Sequence, residues 1–188
     1  PAARDDAVAA FTWMQTELGL QPDRIDIAGD SAGGGLSLAT ALRIRDSGQS
    51  LPRAIVALSP WTNLTCSGES FERLSHKDPF FPTADRLRQA ALAYARQTPP
   101  NHPEVSPRFA DLRGLPDLYI QVGSDEVLLS DSVDLANQAT KVGVKVRLEE
   151  WPGMWHVWQA FCDWMPESRD AISRIGQYIN AALRRDAS

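Results

Sequence analysis

Cysteine and histidine are scarce in this 188-residue sequence, with two of the first and three of the second. Cys66 and Cys162 stand far apart and match no metal-ligand spacing, which argues against a zinc framework and leaves buried free thiols as the reading. No metal and no cofactor is implied. Long apolar runs are lacking as well: none approaches the roughly 18–20 residues of a membrane-spanning helix. Positive charge is concentrated nowhere, and a net charge of −5 leaves no basic stripe for a nucleic-acid backbone. The triple glycine Gly33-Gly34-Gly35 has no lysine after it, so it is not a phosphate-binding loop. There is no internal repeat and no low-complexity segment. An initiator methionine and a targeting segment are missing too, since the sequence opens at Pro1 and runs almost at once into a helical pattern. The expectation is therefore part of a longer chain, cytoplasmic on composition alone.

What is present suffices for one compact domain with a real core. Asp5 to Leu18 reads as an amphipathic helix stopped by Gly19. Arg24 to Gly29 is a short β-branched run, and Leu36 to Asp46 is helical. Ala54 to Leu58 and Leu118 to Val122 are continuous apolar runs of the kind found in strands buried on both faces. Val144 to Glu149 alternates more. A helix from about Asp131 to Val142, closed by Gly143, separates the last two strands. Another, about Ser168 to Leu183, ends the chain with Ile172, Ile175, Ile179 and Leu183 on one stripe. Strand and helix in strict alternation predict an α/β fold, a mainly parallel sheet with helices on both faces. The rhythm breaks from about 61 to 116, an excursion with one clear helix near Thr83 to Arg96. A stretch this long is expected to act as a lid or binding surface.

The segment Gly29-Asp30-Ser31-Ala32-Gly33 is a G-x-S-x-G between strand and helix. A serine hydroxyl is a weak nucleophile until a base stands beside it, and a sharp strand-to-helix turn lifts it towards one. The flanking glycines are expected to avoid collisions at that strained turn. The helix that follows aims its first amides at the site, so the N–H of Ala32 can donate to a developing oxyanion. In folds that use such an elbow, an acid and then a histidine follow the serine in chain order. His156, in Gly153-Met154-Trp155-His156-Val157 after the last strand, takes the histidine's place; His76 and His102 read as surface or structural residues. The acid follows the strand Leu118 to Val122, where Asp125 and Glu126 stand side by side and either could orient the imidazole. Asp131 and Asp134 read as helix-cap and surface positions. Phe80, Trp155 and Val157 are the leading candidates for an apolar substrate pocket, with Trp61 and Phe81 behind them.

The motifs GDSAGGGL (29–36), SPW (59–61), Asp78-Pro79, Ser106-Pro107, LPDLYIQVGSDEVLLSDS (115–132) and GMWHVWQAF (153–161) occur in that order. Together they resemble the hormone-sensitive-lipase family of bacterial esterases, also called family IV, over the whole chain. The resemblance implies an α/β-hydrolase fold and cofactor-free hydrolysis of small carboxylic esters of short to medium acyl chain through a Ser-His-acid triad. The family's acid lies three positions past a glycine with a leucine two beyond, which maps onto Glu126 from Gly123 and Leu128. The family more often has aspartate there. The resemblance further implies an upstream His-Gly-Gly-Gly, which completes the oxyanion hole, and an N-terminal contribution to the cap. Neither is in this sequence, so the early strands are expected to be missing and the isolated piece nearly inactive. Its expected partners, besides the ester, are a second copy of itself or the missing N-terminal segment.

Overall fold

Four short strands line up in chain order as one fully parallel sheet: β1 (Asp26–Asp30), β2 (Ala54–Leu58), β3 (Asp117–Gly123) and β4 (Val146–Trp151). Asp30, Leu58 and Gln121 sit in register across the first three, and Gly123 pairs with Trp151. The computed structural model describes residues 2–185, with side chains up to residue 181, so Pro1, residues 186–188 and the side chain of Leu183 lie outside the described residues. Helices α1 (Ala2–Thr16), α2 (Ala32–Asp46), α3 (Glu69–Arg73), α4 (Asp85–Ala95), α5 (Leu129–Lys141) and α6 (Pro166–Arg185) complete the chain.

The two-residue period of the strands distributes the helices. Ile55, Ala57, Leu118 and Ile120 turn to one face, where Leu38, Leu42, Leu135 and Ala139 of α2 and α5 pack on them. Tyr119 and Gln121 turn to the other face and meet α6: the Gln121 side-chain amide donates to the Ala171 carbonyl at 3.0 Å, and the Tyr119 and Tyr178 rings lie 4.8 Å apart. Helices on both faces of a parallel sheet were expected from the alternation, and that is the architecture found. The face of α6 differs in detail. Ala171 is buried against Gln121, Ile175 and Ile179 are half-buried, and Ile172 is 43% exposed.

Two element bounds shifted for local reasons. β4 starts at Val146 rather than Val144, because Gly143 takes φ +87° and Val144 N–H still returns to the Ala139 carbonyl. Helix α2 begins at Ala32, directly after the serine, and runs through the three glycines despite their low helix propensity. A Cβ at Gly34 would lie 2.7 Å from Pro60, and one at Gly35 2.2 Å from the Trp61 carbonyl oxygen. Close packing on the segment after β2 therefore demands glycine there.

The stretch 61–116 is not a loose loop. Trp61, Leu64, Phe71, Leu87, Ala91 and Val105 form a core of their own that extends to Val127 and Leu128 beyond β3. Helix α3, unread in the sequence, lies within it. Hydrogen bonds clamp its start: the Asp131 carboxylate accepts from the backbone amides of Thr62 and Asn63, each at 2.9 Å. Asp131 is thus a buried tether inside α5, not a helix cap. Asp134, by contrast, is on the surface beside Arg108.

Candidate active site

In a parallel sheet all strands deliver their C-terminal ends to the same edge, and the loops leaving that edge bring distant residues together. Ser31 follows β1, Ser59 follows β2, Glu126 lies three residues past β3, and His156 lies five past β4. The four meet. His156 Nε2 is 2.9 Å from Ser31 Oγ, and His156 Nδ1 is 3.7 Å from Glu126 Oε2. Ser59 Oγ donates to the same Glu126 oxygen at 2.8 Å.

Ser31 takes φ +52°, a region that costs a non-glycine residue energy and that persists only where its surroundings hold it. Here its N–H donates to the Leu58 carbonyl, while its carbonyl accepts from Gly34, Gly35 and Trp61. The neighbouring glycines do not share one reason, contrary to expectation. A Cβ at Gly29 would come within 2.3 Å of the Gly33 carbonyl oxygen, whereas a Cβ at Gly33 meets nothing within 4 Å among the described residues. Ala32 opens α2, so its N–H is one of the first-turn amides for which a helix offers no acceptor.

The loop carrying His156 passes directly over the end of β3. A Cβ on Gly123 would stand 2.2 Å from the Met154 carbonyl oxygen, so only glycine lets the loop come this close. Asp125 N–H donates to that same carbonyl. The imidazole is 7% exposed, and the Phe81 ring meets it edge-on at 5.0 Å.

Of the two adjacent carboxylates, only one faces the histidine. Glu126 is fully buried, and burial pushes its carboxyl above the ordinary value; the His156 imidazole and the Ser59 hydroxyl oppose that rise. Its Oε1 and the Nδ1 of His156 have no hydrogen-bond partner among the described residues. The 3.7 Å separation is longer than a hydrogen bond, and catalytic hydrogen bonds often tighten only once substrate is bound. Asp125 turns the other way, to Ser124 Oγ at 3.1 Å and Lys77 Nζ at 3.4 Å.

Of the apolar residues expected to form a pocket, Trp61 walls the cavity beside Ala32, and the three leading candidates stand elsewhere. Phe80 is 44% exposed, Trp155 packs edge-on against Phe161, and Val157 is held by a hydrogen bond from its own N–H to Ser59 Oγ. None of the three lines the cavity of about 310 Å³ beside Ala32 and Gly33, which is walled by Leu36, Trp61, Leu64, Tyr94 and Val105. His76 and His102 are both exposed. Two supporting residues went unassigned in the sequence. Ser59 was visible only as part of a motif, and its bridging position depends on a positive φ that no sequence signal announces. Asp78 accepts from the amides of Phe80 and Phe81 with one oxygen and from Val127 N–H with the other, joining the excursion to the turn that holds Glu126. Among the described residues there is no cluster of potential metal ligands, and no helix is long and apolar enough to cross a membrane.

Known proteins share this arrangement of strands and loops. The chain is 46% identical to an acetyl-hydrolase of Streptomyces hygroscopicus, over 97% of its own length and 60% of that protein's. It is 36% identical to an esterase of Acinetobacter venetianus, over 87% of its length and 54% of the other. The chain thus spans little more than half the length of these relatives. Among solved structures, an esterase from the bacterial hormone-sensitive lipase family superposes with a TM-score of 0.94 at 42% identity, covering 97% of this chain and 61% of the other. An esterase/lipase from an uncultured bacterium superposes at 0.92 with the same identity. Residues 1–160 match a family model described as the alpha/beta hydrolase fold. A match over that much of the sequence, on a sheet that superposes this closely, means that the chain belongs to the alpha/beta hydrolase fold family.

Proposed function

We propose that this chain carries the reacting groups of a serine carboxylic-ester hydrolase that works through an acyl-enzyme, with Ser31 as nucleophile, His156 as base and Glu126 as acid. One observation carries the reading: the hydroxyl of an elbow serine at φ +52° stands 2.9 Å from the Nε2 of a buried histidine. The relatives named acetyl-hydrolase and esterase support the reaction class.

The geometry suits two-step acyl transfer. His156 Nε2 takes the Ser31 proton as Oγ attacks the ester carbonyl, and the Ala32 N–H donates to the oxyanion that forms. The imidazolium then protonates the departing alcohol. Water, deprotonated by the same imidazole, attacks the acyl-serine, and the imidazolium returns the proton to Ser31 Oγ as the acid leaves. The Glu126 carboxylate holds the Nδ1–H tautomer and offsets the positive charge on the ring. The apolar cavity beside Ala32 suits a short acyl chain.

The test, run on this chain extended to the length of its relatives, is covalent labelling by a fluorophosphonate, read by mass spectrometry, together with release of p-nitrophenol from p-nitrophenyl acetate and butyrate. Labelling at Ser31, and loss of both signals in Ser31→Ala, is the expected result. A folded protein that is neither labelled nor active overturns the reading.

A further inference from the structure

The acid and the histidine loop share one small residue that belongs to neither. Ser59 follows β2, is fully buried, and has φ +44°, a backbone conformation unfavourable for a serine. Its surroundings hold it there. Ser59 N–H donates to the Gln121 carbonyl at 2.7 Å, which fixes it to β3. Its hydroxyl accepts from Val157 N–H at 3.1 Å and donates to Glu126 Oε2 at 2.8 Å. Val157, next to the histidine, is itself at φ +52°. So two strained residues meet through one hydroxyl, and the hydrogen bonds run in one direction from the histidine loop to the carboxylate.

We infer that Ser59 is a positioning residue for this site: its hydroxyl keeps Glu126 ionised and aimed at His156 while pinning the loop that carries the imidazole. The inference rests on the ester-hydrolase reading above. Without the hydroxyl, Glu126 would lose the one hydrogen bond found on its side chain, in a buried setting that already favours the neutral acid. The amide of Val157 would lose its acceptor at the same time.

The pH dependence separates positioning from general support. The active form has Glu126 ionised and His156 neutral. The Ser59 hydrogen bond stabilises every state in which Glu126 is charged, so its removal favours the alternative single-proton state with neutral Glu126 and neutral His156. The acidic limb of kcat/KM must then move to higher pH, never lower. A residue that merely supports the fold would lower activity by the same factor at every pH.

The experiment compares Ser59→Ala and Ser59→Gly with the parent protein, all extended to the length of the relatives, using p-nitrophenyl butyrate turnover and fluorophosphonate labelling. Glycine removes the hydroxyl but tolerates the positive φ, so it guards against a variant that fails only by misfolding. Both variants are expected to lose kcat by about 10- to 100-fold with KM within about twofold, and to shift the acidic limb upward. An active, labelled parent whose folded variants keep its kcat and pH profile overturns the role of Ser59 alone. So does a loss of activity that is independent of pH. A parent that is neither labelled nor active overturns the underlying reading instead.

Discussion

The Glu126 carboxylate lies 3.7 Å from His156 Nδ1, while that of its neighbour Asp125 pairs with Lys77 on the exposed side of the same turn. A peptide chain cannot aim consecutive side chains of this turn at one target, so the fold separates two residues that look equivalent in sequence. Glu126→Gln keeps the shape and removes the charge that offsets the imidazolium; kcat for a p-nitrophenyl ester is expected to fall by about 100-fold or more. Asp125→Asn loses only an exposed ion pair, which contributes about 0–1 kcal/mol, and should leave turnover within about threefold. Steady-state kinetics on the two single variants decides the matter, and a collapse in Asp125→Asn alone would reverse the assignment.

Gly123 matters through what passes above it. Its missing side chain leaves the room taken by the Met154 carbonyl, two residues before the histidine. Gly123→Ala must push that loop away, because the obstructing atom is backbone and cannot rotate aside. A displacement of about 1 Å at a reacting group can cost on the order of 100-fold in rate. The expected outcome is a folded variant with strongly reduced kcat and slowed fluorophosphonate labelling. Unchanged kinetics would mean that the loop has slack the geometry does not suggest.

The parallel sheet was readable because its central strands are mostly apolar runs set between helical patterns, as in Ala54–Leu58. The serine and histidine were readable because the elbow and the chain order constrain them locally. The acid was not settled by the residues themselves, since Asp125 and Glu126 are chemically equivalent until the turn after β3 is built; the resemblance, not the spacing alone, favoured Glu126. The roles of Ser59, Asp78 and Asp131 were not legible for a common reason. Each acts on backbone amides or a carboxylate brought close by tertiary structure, across 49 to 98 residues of sequence in the contacts to Val127, Val157 and Thr62. Of the apolar residues that the sequence offered for a pocket, Trp61 lines the cavity beside Ala32; its other walls come from α2, α4 and Val105, which no local pattern ties to the serine.

Asp78 offers a second handle on the site through packing rather than charge. Its buried carboxylate accepts three backbone hydrogen bonds, from Phe80, Phe81 and Val127. Asp78→Ala strands those amides, two of them beside the ring that packs on His156. Leaving a buried donor unsatisfied costs about 1–3 kcal/mol. Chemical denaturation should therefore show a loss of at least that order, with Asp78→Asn retaining part of the stability. Equal stability of Asp78→Ala and the parent would show that the amides find water without penalty.

Asp131 should make stability depend on pH in a direction opposite to that of most carboxylates. Burial pushes its carboxyl from 3.8 up to about 7, and the two backbone amides of Thr62 and Asn63 only partly oppose this. Its Oδ1, which has no partner among the described residues, is the oxygen open to a proton. Because the folded pKa is the higher one, the folded state holds the proton while the unfolded chain has released it. Stability therefore falls as pH rises from about 4 to about 7, and above that both states are ionised and the dependence ends. Glu126, shifted the same way, adds to the trend, so the comparison must be made against a variant rather than against a flat line. Asp131→Asn keeps an oxygen for the two amides and cannot ionise. Denaturation of the parent and this variant at several pH values should show the parent losing ground through that window, by at most about 4 kcal/mol. Parallel curves would mean that Asp131 is ionised in the fold at all these pH values, with its charge held by the amides of Thr62 and Asn63.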